Sequence, residues 1–282
     1  MVTKKSDKTV AIAGESEFTA SKYRISTITV TGGINSNVCL ERLYKAFSEH
    51  TPVEITYLEY GSNKHNLLTT GEKTRKGKKA GEKKVTKRFD NQLTIVMTYQ
   101  ENRYNMKLFK NGNIQITGVK TIGNGKKAID FLIEQIKRMY TQHDSDILED
   151  VGSLRNVNYS IRLINSDFRI NFEIRLDHLY RVVVNQYKII CSYEPCIYPG
   201  AKIEYYYPNN GYCKCTGFCN GKSVACKKIT IAVFQSGCVI ITGANKMEHI
   251  DTAYAFICSL LKDNMSKIKR NKLPLLLTPK ST

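Results

Sequence analysis

The chain has 282 residues, 41% of them hydrophobic, which is enough for one or two buried cores. No apolar run reaches about eighteen residues and the N-terminal stretch is polar, so the sequence predicts neither a membrane span nor a signal peptide. Forty-three basic against 25 acidic residues give a net charge of +18, which favours nucleic acid over an anionic membrane or a merely solubilising basic surface.

The first half predicts a strand, a helix and then further strands. Residues 25–31 alternate apolar and hydroxyl side chains, and Asn37 is a candidate N-cap for the amphipathic helix that follows. Residues 53–60 predict a second strand. Residues 61–88 form a basic insertion with few apolar residues, typical of a flexible loop. Further elements of this half are strands at 93–99, 104–109 and 113–117 and a helix at 126–140.

The second half predicts the same order of elements. Along the chain we expect a disordered leader at 1–21, the first half at 22–141, an acidic linker at 142–156 and the second half at 157–264. A cysteine-rich insertion at about 208–228 interrupts it, and a mobile basic tail is expected at 265–282. Its predicted elements are strands at 159–172, 203–207, 229–234 and 239–242 and helices at 175–186 and 248–262.

The two halves also repeat one another residue by residue. Phe109 to Gly118 reappears as Phe234 to Gly243, and residues 40–45 match residues 176–181. Antiparallel strands with helices on one face predict an α+β fold in each copy. In residues 229–242 both strand parities are apolar, so one face of the sheet packs under helices and the other needs a partner.

Three segments resemble one known family. Residues 192–200, Ser-Tyr-Glu-Pro-Cys-Ile-Tyr-Pro-Gly, resemble the Ser-Tyr-Glu-Pro-Glu-Leu-Phe-Pro-Gly segment of TATA-box-binding proteins. Residues 172–176 are similar to the family's Phe-Pro-Ile-Arg-Leu, and residues 233–244 to its Ile-Phe-x-Ser-Gly-Lys and Leu-Thr-Gly-Ala-Lys. The resemblance covers about residues 22–262, and the divergence and insertions favour a form like those of large cytoplasmic DNA viruses.

The resemblance implies a saddle. Two pseudo-symmetric repeats form one curved antiparallel sheet with helices on its convex face. The concave face binds and bends A·T-rich promoter DNA through the minor groove, a mode of which this family is itself a standard example. The expected location is the nucleus or, for a viral protein, the host cytoplasmic replication site or the virion.

Aromatic wedges that unstack a base step are implied at four positions. Phe109 and Phe234 match one wedge position in each half, and Tyr198 matches the second half's other wedge. In the first half Phe89, Leu93 and Ile55 are the candidates for that other wedge. Core packing is the alternative for a single aromatic such as Phe109, but its recurrence as Phe234 weighs against that alternative.

Further residues on the same strands are implied to contact the groove. Thr117 and Thr242 match family threonines that approach base edges, although each is also an ordinary strand residue before a glycine. Ungapped pairing puts Ile25 and Leu163 where the family has an asparagine, and Asn165 shares the face of Leu163. The full set of expected minor-groove contacts is Thr117, Thr242, Asn165, Thr27, Gln115, Ile240, Lys107 and Ala232.

The basic insertion predicts phosphate contacts, and a solvated or import-related run is its alternative. The expected phosphate contacts are Lys73, Arg75, Lys76, Lys78, Lys79, Lys83, Lys84, Lys87 and Arg88. Glu194 matches a family residue that contacts a transcription factor B-like protein, and it could equally be an exposed carboxylate. Four cysteines in fourteen residues could hold a structural zinc ion, although reduced thiols are favoured. They are Cys213, Cys215, Cys219 and Cys226.

No motif for catalysis is present, so the sequence predicts that the protein is not an enzyme and has no cofactor unless zinc binds. The leading hypothesis is a monomeric transcription initiation factor that binds A·T-rich duplex DNA and recruits RNA polymerase. Two alternatives remain open. One is an architectural or packaging protein without promoter specificity. The other is a protein-interaction module that uses the saddle for another protein.

Overall fold

The computed structural model describes residues 17–66, 91–208 and 226–270. The first repeat contains β1 (Arg24–Gly33), α1 (Leu40–Glu49), β2 (Ile55–Tyr60), β3 (Asn63–Asn66), β4 (Gln92–Tyr99), β5 (Asn102–Phe109), β6 (Asn113–Val119) and α2 (Ile122–Gln142). The second contains β7 (Val157–Arg169), α3 (Leu176–Asn185), β8 (Cys191–Ser192), β9 (Gly200–Pro208), β10 (Cys226–Phe234), β11 (Cys238–Ala244), α4 (Met247–Asp263) and α5 (Met265–Ile268).

All strands of the described ranges belong to one antiparallel sheet of eleven strands, which confirms the predicted α+β saddle. The strand order is β3-β2-β4-β5-β6-β1-β7-β11-β10-β9-β8, so the first strands of the two repeats pair in the middle. Ile28 of β1 pairs with Ile164 of β7. The two residues are 136 positions apart, the offset that also relates Leu40 to Leu176 at the starts of α1 and α3. A pseudo-twofold axis therefore passes between β1 and β7.

Helices cover one face of the sheet and bury a continuous core. Leu40, Leu43 and Phe47 follow the spacing of one helix face, and each is at most 1% exposed. Beneath them lie alternate strand residues such as Met106 and Leu108. Burying one such side chain contributes about 1.5–3 kcal/mol. The face opposite the helices carries the other parity, as the sequence predicted for 229–242.

The ends of the repeats are more ordered than the sequence indicated. Residues 17–21, expected in the leader, lie against the second repeat, where Ala20 forms a bridge with Ile170. Residues 265–270, expected in the mobile tail, include α5 and a bridge from Lys269 to Ile174. Val38 and Leu148 form the matching bridge in the first repeat. In each repeat, the segment after the last long helix therefore forms a β-bridge with the residues that precede the first helix.

Two local predictions in the first repeat were wrong. Asn37 is not the N-cap of α1, because the helix begins at Leu40 after Cys39, and the Asn37 amide donates instead to Glu149 Oε2 at 2.8 Å. The start of the basic insertion, residues 63–66, is a strand, β3, that pairs with β2. No helix within the described ranges is long and apolar enough to cross a membrane.

Candidate nucleic-acid interface

The sheet surface opposite the helices, here called the open face, collects the predicted contact residues. Lys107 and Phe109 alternate along β5 with buried Met106 and Leu108, and neither belongs to the helix-covered core. The same alternation holds along β6, β10 and β11. The residues of the open face used below are Thr27, Thr29, Thr31, Glu59, Thr94, Arg103, Lys107, Phe109, Gln115, Thr117, Arg162, Leu163, Asn165, Asp167, Lys202, Glu204, Ala232, Phe234, Ile240 and Thr242.

Two aromatic rings meet at the outer part of the second repeat. Tyr198 and Phe234 have ring centroids 5.7 Å apart, with their planes tilted by 55°. Gly200 lies beneath both, and a Cβ built there would be 3.0 Å from each ring. Lys202 Nζ sits 4.0 Å from the centroid of the Tyr198 ring, a cation–π contact. Both rings are only partly buried and lie outside the helix-covered core.

The first repeat has the matching ring at Phe109. Phe109 pairs with Gln92 as Phe234 pairs with Gly200, so the two phenylalanines occupy equivalent positions. Leu93 and Ile55 were wrong as candidates for the other wedge, because they are 0% and 2% exposed beneath the helices. The remaining candidate, Phe89, lies outside the described residues, as does the register position that corresponds to Tyr198.

Near the pseudo-twofold axis, Asn165 and Thr242 form a polar pair. The Thr242 hydroxyl donates to Asn165 Oδ1 at 2.5 Å, and this leaves Asn165 Nδ2 without an acceptor among the described residues. In the first repeat, the Gly118 backbone N–H donates to Thr27 Oγ1 at 3.2 Å. An amide N–H on this face suits the acceptor atoms that every base pair shows in the minor groove.

The assignment of Ile25 as the counterpart of Leu163 was wrong, because these residues are 138 positions apart whereas an offset of 136 relates the two repeats. The β1–β7 ladder skips Ser26 on one strand and Arg162 on the other, again 136 positions apart. Symmetry therefore makes Thr27, not Ile25, the counterpart of Leu163. Ile25 instead packs against the core, and Thr29 is the counterpart of Asn165.

Electrostatically the open face is basic. Its acidic side chains each have a cationic partner: Glu59 lies 3.2 Å from Lys64, Asp167 2.8 Å from Arg24, and Glu204 3.0 Å from Lys228. A hydrogen bond from Tyr206, followed by the Lys228 charge, lowers the pKa of Glu204 below its ordinary value. Arg103, Lys107 and Arg162 have no carboxylate partner within the part of the chain that the structure describes.

Glu194 lies in the exposed turn that precedes the Tyr198 ring. Its backbone carbonyl accepts hydrogen bonds from the N–H groups of Ile197 and Tyr198, both at 2.9 Å. The Ile197 side chain beside it is 80% exposed. This turn presents a carboxylate and an apolar side chain at the end of the molecule formed by the second repeat.

Other predicted sites lie partly or wholly outside the described residues. The nine cations expected to contact phosphates, Lys73 to Arg88, are outside them, so these contacts stay a prediction. Cys213, Cys215 and Cys219 are also outside, and Cys226 begins β10 opposite Pro208. Among residues 17–66, 91–208 and 226–270, no cluster of three His, Cys, Asp or Glu side chains could hold a metal ion.

Sequence reasoning missed several residues of the open face, among them Lys202, Thr94 and Arg162. Lys202 and Thr94 share strand parity with the expected contacts, so alternation alone could have identified them. Arg162, whose Nε donates to Thr31 Oγ1 at 2.8 Å, could not be found in this way because it is the bulged residue of β7. All eight expected minor-groove contacts do lie on the open face.

Comparisons with known proteins agree with this arrangement. The family model described as "Transcription factor TFIID (or TATA-binding protein, TBP)" matches residues 158–264. A TATA-box-binding protein-like protein of Acanthamoeba polyphaga mimivirus is 32% identical over 200 residues, which cover 68% of this chain and 53% of that protein. TATA-box-binding protein 2 of Entamoeba histolytica is 27% identical over 158 residues, which cover 56% and 58%.

The chain thus spans little more than half the length of these curated relatives. Among solved structures, Methanococcus jannaschii TBP aligns with a TM-score of 0.48 and 17% identity, over 86% of this chain and 99% of that one.

Proposed function

This chain is a divergent member of the TATA-box-binding protein family, and we propose that it is a transcription initiation factor that binds A·T-rich duplex DNA on its open face. It acts by binding and bending rather than by catalysis. The groove of an A·T pair lacks the guanine amino group, so an apolar floor such as Ala232 and Ile240 fits against it. Rings inserted at the two ends of the contact hold the duplex bent.

The observation that carries this proposal is the pair of equivalent rings, Phe109 and Phe234. Both occupy the same register position in their repeats, and both lie on the sheet face that the helices leave uncovered. A single partly exposed phenylalanine needs no explanation. Two related by a pseudo-twofold axis, on a basic surface, suit a duplex whose backbone has the same symmetry.

We propose further that the Glu194 turn contacts the next protein of the initiation complex, a factor that resembles transcription factor B and brings RNA polymerase. The exposed Glu194 carboxylate and the Ile197 side chain beside it offer one charged and one apolar contact. Cys196 replaces the family's second glutamate in this turn, so the partner surface on the other protein is expected to carry less positive charge.

An architectural role is the second candidate. The positions equivalent to the family asparagine carry Leu163 and Thr27, which removes two amide groups from the centre of the contact. Binding would then depend more on the shape and deformability of the duplex than on a defined element. The protein would coat A·T-rich DNA rather than mark start sites.

Fluorescence anisotropy with labelled duplexes tests the proposal. The full chain is titrated against an A·T-rich duplex and a G·C-rich duplex of equal length, at several salt concentrations. We expect tighter binding to the A·T-rich duplex at every salt concentration and a steep loss of affinity with salt. Equal affinity for the two duplexes contradicts minor-groove selection, and no binding to either contradicts DNA binding. Footprints on promoter fragments then separate discrete sites from uniform coverage.

A further inference from the structure

The open faces of the two repeats differ along one row of neighbouring side chains. In the first repeat Thr94 pairs with Lys107, Lys107 with Gln115, and Gln115 with Thr31. We call these four residues the first-repeat row. All are polar, and Lys107 and Gln115 make no hydrogen bond or ion pair within the described part of the chain.

The equivalent positions of the second repeat have different chemistry. There Lys202 pairs with Ala232, Ala232 with Ile240, and Ile240 with Asp167. These four residues form the second-repeat row. The centre of this row is apolar, and Ala232 is only 4% exposed. The polar side chains at its two ends already have partners, since Lys202 lies over the Tyr198 ring and Asp167 pairs with Arg24.

The two rows face different parts of any duplex bound along the saddle. A G·C pair differs from an A·T pair in the minor groove by the guanine amino group, a hydrogen-bond donor. A guanine amino group that lies against Ala232 and Ile240 would lose its water without gaining a hydrogen-bond acceptor. This desolvation costs binding free energy. Against the first-repeat row, Gln115 Oε1 can accept from it, while Lys107 donates to the neighbouring base acceptors.

We infer that the two repeats have different base preferences, an inference that rests on the proposed function. The second repeat requires A·T pairs in its half of the site, whereas the first repeat accepts G·C pairs through Gln115 and Lys107. The preferred element is therefore asymmetric, and this asymmetry fixes the direction in which the protein sits on it.

The test is selection of bound duplexes from a pool with a randomised central segment. It compares the unaltered chain with the double variant Lys107→Ala/Gln115→Ile, which copies the second-repeat row into the first repeat. The matched control is Lys137→Ala/Gln142→Ile, the same two changes on the exposed side of α2. Thermal unfolding of all three chains verifies that the variants fold.

We expect the unaltered chain and the control to select A·T pairs in one half of the site and mixed pairs in the other. The double variant is expected to select A·T pairs in both halves. If the unaltered chain selects A·T pairs equally in both halves of the site, the inference is overturned and the proposed function stays intact. An unchanged asymmetric pool for the double variant also overturns it, because other residues then set the difference. A pool with no enrichment overturns the proposed function and this inference with it.

Binding to fixed duplexes gives a second reading that needs no variant. A G·C pair introduced into the A·T-only half is expected to lower the affinity of the unaltered chain about 5- to 150-fold, the usual range for a mismatched pair. The same change in the other half is expected to lower it less than about threefold. Equal losses in the two halves overturn the inference.

Discussion

Tyr198 and Phe234 lie with their ring centroids 5.7 Å apart above the backbone of Gly200, on the sheet face that carries no helix. Neither ring packs into the core, so their positions serve the surface rather than the stability of the fold. The contact joins the turn before β9 to the end of β10. It therefore sets the geometry of the outer end of the proposed DNA contact.

Replacement of Phe109 or Phe234 by alanine is expected to weaken DNA binding with little loss of stability. Loss of one ring that stacks on bases removes about 1–3 kcal/mol of binding free energy. Anisotropy titrations and thermal unfolding measure the two effects. The control is Phe131→Ala, because Phe131 stacks on Tyr99 on the helical side, with centroids 4.6 Å apart. Phe131→Ala should lose stability and keep its DNA affinity. If Phe131→Ala lowers DNA affinity and the Phe109 and Phe234 variants do not, DNA binds a different surface.

Gly200→Ala is expected to disturb DNA bending more than folding. The added Cβ meets both rings at 3.0 Å, closer than ordinary contact, so Tyr198 and Phe234 must shift apart. Energy transfer between dyes at the two ends of a duplex would report a smaller bend. Gly123→Ala is the matched control, since nothing lies within 4 Å of its added Cβ, and it should stabilise α2 by about 0.5–1 kcal/mol. An unchanged bend in Gly200→Ala would argue against a role for this ring pair.

Asn165→Asp is expected to reduce duplex affinity strongly, and Thr242→Val more weakly. The aspartate removes the Nδ2–H donor and adds a negative charge beside base acceptors. The valine removes only the hydroxyl that orients the amide through Oδ1. Loss of a hydrogen bond to a neutral group lowers binding by about 0.5–1.5 kcal/mol. Equal affinities of the two variants and the unaltered chain would exclude the Asn165–Thr242 pair from the contact.

Tyr23→Phe is expected to loosen the segment before β1 from the second repeat. The Tyr23 hydroxyl donates to Asp251 Oδ1 at 2.5 Å, and this hydrogen bond, with burial and the Asp251 charge, raises the pKa of Tyr23 to about 12. Because the pKa is raised in the folded state, this stabilisation is complete below about pH 10 and is lost as the pH rises through about 12.

Thermal unfolding between neutral and alkaline pH measures this contribution. Tyr23→Phe should lower the free energy of unfolding by about 0.5–1.5 kcal/mol at neutral pH. The further fall in this free energy at alkaline pH should be smaller than in the unaltered chain. Tyr180→Phe is the control, since Tyr180 is 37% exposed and has no hydrogen bond within the described ranges. If both variants unfold alike across the pH range, the Tyr23–Asp251 contact contributes nothing.

The family resemblance predicted the wedge and groove positions of the open face, and strand alternation supports them because side chains in a strand change sides at every residue. Phe109, Lys107 and Gln115 lie on the parity of the open face, and the recurrence of Phe109 as Phe234 fixed the register. The assignment failed at Ile25, since a bulge at Ser26 reverses the parity and no residue type marks it. The N-cap failed at Asn37 for a different reason: its amide is bound by Glu149, a residue distant in the sequence.

Photocrosslinking from the rings of the open face determines whether duplex DNA lies against that face. Benzoylphenylalanine is placed at Phe109, at Phe234 or, as a control, at Phe131, and each chain is irradiated with an A·T-rich duplex. Crosslinks to DNA from positions 109 and 234, and none from position 131, are the predicted result. Crosslinks from position 131 alone would show that the duplex binds on the helical side and not on the open face.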